Sequence, residues 1–403
     1  MKVYIMGAKR TAIGVFGGSL KDIPATKLGS IAIKGAMEQA KVDPKEVDEV
    51  VMGNVLMAGE GMGPARQSSI YAGIPVEVPA FTVNMVCGSG MKAIMVGATD
   101  IAIGNADLVV AGGMESMSQA PFLLNYKTRF GAKFGNMEVI DHMVYDGLTD
   151  IFNQVHMGIT AEEIAKRLNI SRIEQDEYAL ESQKRAREAI SQGKFKDEII
   201  PVEVKDKKDT KIFDTDEGPR ETSIEALSRL RPAFKEGGTV TAGNSSGIND
   251  GASAIILASE RYVEDHRVMP MAEIIGWGQG GVDPIVMGLG PVPATESALK
   301  MAHLSFNDIE LIEGNEAFAV QTLGVIKQWT EKYGVSKDSI LEKTNLNGGA
   351  IALGHPIGCS GNRITVTLLY EMMKKKAEIG LATLCIGGGM GTALVIKRFS
   401  KTI

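Results

Sequence analysis

The chain has 403 residues, 44% of them apolar, enough for two or three packed units around a large buried core and too many for a small stapled domain. A formal net charge of -6 excludes a general affinity for nucleic acid, so any anionic ligand has to be held by a local arrangement. The three cysteines, at 87, 359 and 385, are widely spaced, with no CxxC pair and no run of histidines to complete a zinc site, which fits reduced thiols in a cytosol.

The N-terminal MKVYIMGAKRTAIG reads as a strand and a turn, with neither the apolar core of a signal peptide nor an Arg/Ser-rich transit pattern, so a cytoplasmic protein is expected. No window approaches the roughly 20 consecutive apolar residues of a membrane span. Strand-like runs then alternate with helical patterns: VYIMGA, a helix near 25–39, EVVMGNV, FTVNMV, a helix near 89–104, and LVVAGG. That alternation predicts an α/β fold with a mainly parallel sheet covered by helices.

The stretch 118–247 breaks the alternation. It holds the helical segments AEEIAKRLN and EQDEYALESQKRAREAI and a charged run, KDKKDTKIFDTDEGPR, read as a solvated face. A second cycle starts near 271: AEIIGWG, a helix near 295–303, IELIEGNEA, an apolar strand in LNGGAIAL, a helix near 360–375, and LATLCIGGGMGTALVI. The two cycles echo one another, VCGSGMKA against IGCSGNRI and ADLVVAGGMES against GLATLCIGGGMGTA. A duplication at domain scale is the simplest account. Three units are expected: an N-terminal half of 1–117 with 248–270, an inserted unit of 118–247, and a C-terminal half of 271–403.

Cys87 lies between an apolar strand and a glycine-bracketed helix start, where unpaired backbone N–H groups and the helix dipole favour a thiolate and predict a lowered pKa. GSGMKA also fits a GxGxxA dinucleotide fingerprint. That match comes some 80 residues into the chain, not in the first βαβ unit, and Asp107 precedes its strand instead of ending the next one. His355, between Gly354 and Pro356 in a loop, is a candidate general base. Cys385 ends the last-but-one strand before three glycines; a second thiol there could remove a proton α to a carbonyl. Asn315 stands at a strand end, where its amide could hold a water against developing oxyanion charge.

Taken in order, VCGSGMKA, GGMESMS, HMGITAE, RPAF, GTVTAGNSSGINDGA, GNEAFAV, GGAIALGHPIGCSG and CIGGGMGTA resemble the thiolase family across essentially the whole chain. The resemblance implies two similar α/β halves in a five-layered αβαβα core plus a loop domain. It implies Cys87 as the nucleophile that becomes acetylated, His355 as its base, Cys385 as acid/base on the second substrate, and Asn315 with His355 at one oxyanion site. A second oxyanion site would use the backbone N–H groups of Cys87 and Gly387. Coenzyme A would lie along Leu148, His156, Met157, Ala242, Ser246, Met287, Ala317 and Phe318, with Arg220 at its nucleotide end. Where relatives often carry a serine, this chain has Ala226.

The substrates implied are acetyl-CoA, acetoacetyl-CoA and CoA, with no metal or redox cofactor. MSQAPFLLNYKTRFGAKFGNMEVID resembles the loop through which the biosynthetic branch forms tetramers. With the HMG motif at 156–158, it favours a short-chain acetyl-CoA acetyltransferase over the broad-range 3-ketoacyl-CoA thiolase of fatty-acid breakdown. The segment TEKYGVSKDSILEK resembles a surface insertion.

Overall fold

The computed structural model describes residues 1–206 and 209–399; Lys207 and Lys208 of the charged run and the last four positions lie outside the described residues. The first cycle forms β1 (Val3–Thr11), α1 (Ala25–Ala40), β2 (Glu49–Gly53), β3 (Ala80–Val83), α2 (Ser89–Ala102) and β4 (Leu108–Ser116). The inserted stretch carries α3 (Met157–Leu168) and α4 (Arg172–Ser191), after which β5 (Asn249–Ser259) pairs with both β1 and β4. The second cycle forms β6 (Ala272–Gly281), α5 (Pro291–Ala302), β7 (Leu311–Gly314), α6 (Ala319–Tyr333), α7 (Ile357–Lys375), β8 (Ile379–Ile386) and β9 (Met390–Arg398).

The strands lie in the order β7-β8-β9-β6-β1-β5-β4-β2-β3. The sheet is mixed, not mainly parallel: β4-β2-β3 and β7-β8 are parallel, and the other neighbours are antiparallel. Connection length accounts for one of these pairs, β8 with β9. A parallel neighbour needs a crossover of a dozen or more residues, and the short glycine turn between β8 and β9 permits only a hairpin. The two half-sheets meet at β1 and β6 through three residue pairs, Val3 with Ile274, Tyr4 with Glu273, and Ile5 with Ala272.

Each half-sheet is buried on both faces. On β4, Val109 and Ala111 pack inward with Met91, Ile94, Ile364 and Leu368, while Leu108 and Val110 pack outward with Leu28, Ile33 and Met37 of α1. On the other side, Leu299 of α5 and Ile326 of α6 cover Leu381 and Val395. The layers are thus outer helices, half-sheet, the pair α2 and α7, half-sheet, outer helices. Such two-sided burial is why these strands read as near-continuous apolar runs.

The central pair touches backbone to backbone. A Cβ on Gly90 of α2 would lie 2.9 Å from both the Asn362 nitrogen and the Gly358 oxygen, and one on Gly361 of α7 would lie 2.7 Å from the Met91 nitrogen. Only glycine permits that approach. A second fastening is ionic: the fully buried Arg10 of β1 meets Glu198 at 2.6 Å and Asp216 at 2.7 Å, both from the inserted stretch. The flanks of the charged run pair as a hairpin, Val202–Asp206 with Asp209–Phe213, and Asp209 to Ile212 are exposed.

Gly90→Ala should lower stability by about 1–3 kcal/mol through overpacking. Urea unfolding measures it, and an unchanged midpoint would mean that the two helices do not bear on each other.

Candidate active site

The turn carrying Cys87 is strained. Val86 sits at φ 46°, a region that costs a β-branched residue about 1–3 kcal/mol. Ser89 holds the turn: its hydroxyl accepts from the Met85 N–H at 2.8 Å and donates to the Val86 carbonyl at 2.6 Å. The result aims Cys87 out of the start of α2, half-buried, while Cys359 and Cys385 are buried. Cys359 faces Ser253, at 3.4 Å.

The segment before His355 is not a strand. Ala350–Leu353 forms a single helical turn, closed by Ala352 and Leu353 N–H groups on the Gly349 carbonyl. Buried Glu316 accepts from the Ile351 N–H at 3.2 Å, and Ser182 of α4 accepts from Gly349 N–H at 3.1 Å. Four apolar residues suit a buried helical turn as well as a strand, and these side-chain acceptors decide it. Gly354 (φ 115°) then turns the chain, and the His355 N–H donates to Asn249 Oδ1 at 2.9 Å. The ring lies 2.6 Å from Ser360 Oγ through Nδ1, and 3.5 Å from Asn315 Nδ2. Asn315 directly follows β7, its N–H on the Thr383 carbonyl of β8.

Cys87, His355 and Cys385 open on one cavity of about 420 Å³. All nine residues expected to line a coenzyme A path are on its wall: Leu148, His156 and Met157, Arg220, Ala242 and Ser246 from the inserted stretch, and Met287, Ala317 and Phe318 from the second half. Asn315 reaches the site through His355, and Gly387 through a backbone N–H directed at the Cys87 sulfur. Val55, Leu56, Met117, Met143 and Ile357 form an apolar cluster against Cys87, and Cys385 packs in the cluster that holds Met157, Met287 and Phe318.

That apolar lining sets the charge states. Burial pushes the Cys87 thiol up to about 11, against the pull of the Gly387 and Cys87 N–H groups. The lowered value expected from the helix start is therefore overturned: desolvation of a thiolate here outweighs the helix dipole. Burial, then the neighbouring Cys87, raises Cys385 further. Burial, then the Arg363 charge, pushes His355 down to about 3, so its imidazole is neutral at physiological pH. The resting site is thiol, thiol and neutral imidazole.

Several residues of the site had no role in the sequence reading. Glu115, inside GGMES, accepts from Asn54 Nδ2, from the N–H groups of Val55 and Leu56, and from the Gly358 N–H at 2.8 Å, tying the β2 exit loop to the start of α7. Phe234, inside RPAF, stacks on His156 at 4.8 Å and meets Phe318 edge-on at 6.2 Å, forming an aromatic wall. Both lie within the family-like motifs, but only the fold shows what they touch. The glycine of GSGMKA at 90 receives the backbone of α7 where a dinucleotide site would need a pyrophosphate.

Residues 3–261 match the family model described as thiolase, N-terminal domain, and residues 268–398 the model described as thiolase, C-terminal domain. An acetyl-CoA acetyltransferase of Syntrophomonas wolfei is 51% identical over 98% of this chain and 99% of its own, and one of Chromobacterium violaceum is 52% identical over 99% and 100%. Among solved structures, an acetyl-CoA acetyltransferase from Syntrophomonas wolfei superposes with a TM-score of 0.96 at 41% identity, covering 99% of both chains. Human mitochondrial 3-ketoacyl-CoA thiolase in complex with CoA superposes with a TM-score of 0.93 at 45% identity, over 99% of this chain and 98% of that one.

Alkylation of Cys87 by iodoacetamide should climb about tenfold per pH unit between pH 7 and 10, because the thiolate fraction keeps growing below its raised pKa. A plateau below pH 8 would mean a preformed thiolate.

Proposed function

The chain belongs to the thiolase family, and from that premise we propose that it is an acetyl-CoA C-acetyltransferase, interconverting two acetyl-CoA with acetoacetyl-CoA and free CoA. The observation that carries this reading is the meeting of two thiols and a neutral imidazole on one apolar cavity.

Cys87 Sγ attacks the acetyl carbonyl as His355 takes its proton, so no free thiolate has to exist in an apolar site. The tetrahedral oxyanion is held at Asn315 and His355, and its collapse expels CoA thiolate, which takes the proton of Cys385. Acetyl-Cys87 remains. The Cys385 thiolate then removes a methyl proton from the second acetyl-CoA. Burial raises this thiol and so makes its thiolate a stronger base toward a weakly acidic methyl. The enolate oxygen charge has to be met where it develops. The enolate carbon attacks the acetyl-Cys87 carbonyl, whose oxygen charge falls to the Cys87 and Gly387 N–H groups. Cys87 leaves as a thiolate and recovers its proton from His355.

The coenzyme arm lies along Leu148, Met157, Met287 and Phe318, with Arg220 toward its phosphates. We read 118–247 as the domain covering this path, and 1–117 with 248–270 and 271–403 as the two halves. Placement of β5 between β1 and β4 supports that division. Three unpaired cysteines, one the nucleophile, favour the reducing cytoplasm; among the described residues no helix is long and apolar enough to cross a membrane. A homotetramer is supported by two surfaces. The strand β3 ends the sheet with Phe81 exposed, and the hairpin Phe122–Leu124 with Val139–Asp141 projects Phe122, Leu124, Tyr126, Phe130 and Phe134 into solvent.

Steady-state thiolysis should be high for acetoacetyl-CoA, low for a long-chain 3-ketoacyl-CoA, and lost in Cys87→Ser. Comparable long-chain rates would assign the broad-range degradative reaction instead, and thiolysis surviving in Cys87→Ser would sink the mechanism. Leu124→Glu with Phe134→Glu should convert tetramers to dimers by light scattering, with thiolysis retained; an unchanged mass would remove the hairpin from the interface.

A further inference from the structure

We infer that Ser360 fixes the tautomer of His355, keeping the ring hydrogen on Nδ1 and leaving Nε2 bare as the atom that takes the Cys87 proton. The inference rests on the reading of His355 as the base and adds a positioning residue that selects which nitrogen acts.

A neutral imidazole has one N–H and one bare nitrogen, and only the bare one accepts a proton. Burial with the Arg363 charge keeps His355 neutral, so the choice between nitrogens is real throughout the working pH range. Nδ1 is 2.6 Å from Ser360 Oγ, and the same hydroxyl lies 2.9 Å from the Pro356 carbonyl, four residues back in the first turn of α7. Ser360 is fully buried, so the serine hydroxyl has only these partners to serve. It carries one hydrogen. With that hydrogen on the Pro356 carbonyl, what it offers the ring is a lone pair, and Nδ1 has to be the donor.

The first half of the molecule contains a related arrangement whose direction is unambiguous, although its carbonyl lies three residues back and not four. Aligning VCGSGMKA with IGCSGNRI places Ser89 opposite Ser360. The Ser89 hydroxyl gives its hydrogen to a carbonyl, Val86, and its lone pair to the Met85 N–H. A peptide N–H can only donate, so the direction is fixed. In the second half the imidazole Nδ1 takes the place of that peptide nitrogen.

The direct test is 15N NMR of the histidine ring nitrogens in the intact wild-type protein, with His355→Asn used to assign the signals. The expected spectrum shows a protonated Nδ1 and a bare Nε2; a protonated Nε2 would overturn the inference without any variant. Ser360→Ala should move the ring toward the other tautomer and lower kcat for acetoacetyl-CoA thiolysis by about tenfold or more with KM nearly unchanged. Ser360→Thr, which keeps the hydroxyl, should restore both. A Ser360→Ala protein that keeps the wild-type tautomer would also overturn it. Failure of the underlying base reading shows separately, as thiolysis surviving His355→Asn, and would remove the use of Nε2 whatever the tautomer.

Discussion

Direct backbone contact between the two central helices governs the rest of the molecule. Gly90 and Gly361 let α2 and α7 approach with nothing between them, and Gly113 lets β4 approach α7 as closely, since a Cβ there would lie 2.3 Å from the Gly358 oxygen. Because Cys87 stands just before one helix and His355 just before the other, that approach brings the nucleophile and its base to a common cavity. Glu115 keeps the register: four N–H donors, three from the loop after β2 and one from Gly358 of α7, converge on its carboxylate. A helix pair separated by side chains in the usual way, 8–10 Å between axes, would hold the two groups apart.

The same close packing determines the electrostatics. In these apolar surroundings desolvation outweighs the helix-end field at Cys87, and all three reactive groups rest uncharged. This suits a reaction whose charges are transient. A resting thiolate and imidazolium would have to be solvated by the protein before any substrate arrived, whereas N–H groups aimed at a developing oxyanion need no reorganisation when it forms. The strained Val86 directly precedes the sulfur that meets the Cys87 and Gly387 N–H groups.

Much of this was legible in the sequence, for physical reasons. Strands buried on both faces leave apolar runs such as LVVAGG that no surface strand would show, and the repeat of VCGSG in IGCSG exposed the duplication. What stayed hidden depends on contacts between distant residues. Most antiparallel neighbours, β1 with β5 and β5 with β4 among them, are strands far apart in sequence, a pairing that apolar runs do not encode. AIAL became a helical turn because Glu316 and Ser182, far away in sequence, supply acceptors. The local motif around Cys87 pointed to an acidic thiol, but Val55, Met117 and Met143, which desolvate it, come from three other segments. Phe234 and Glu115 sit in family-like motifs with no sign of what they would meet.

The duplication carries a historical consequence. In the alignment that pairs Ser89 with Ser360, the counterpart of Cys87 is Gly358 and the counterpart of His355 is Asn84. A precursor built from two identical copies would have owned two equivalent clefts across the helix pair, each drawing on both copies. Here one position holds the sulfur and the imidazole together, while the aligned positions carry a glycine and an amide. These two residues brace the site: Gly358 donates its N–H to Glu115, and Asn84 caps the Val86 N–H at 3.0 Å. The two aligned positions thus serve different ends, one the chemistry and the other the brace that supports it.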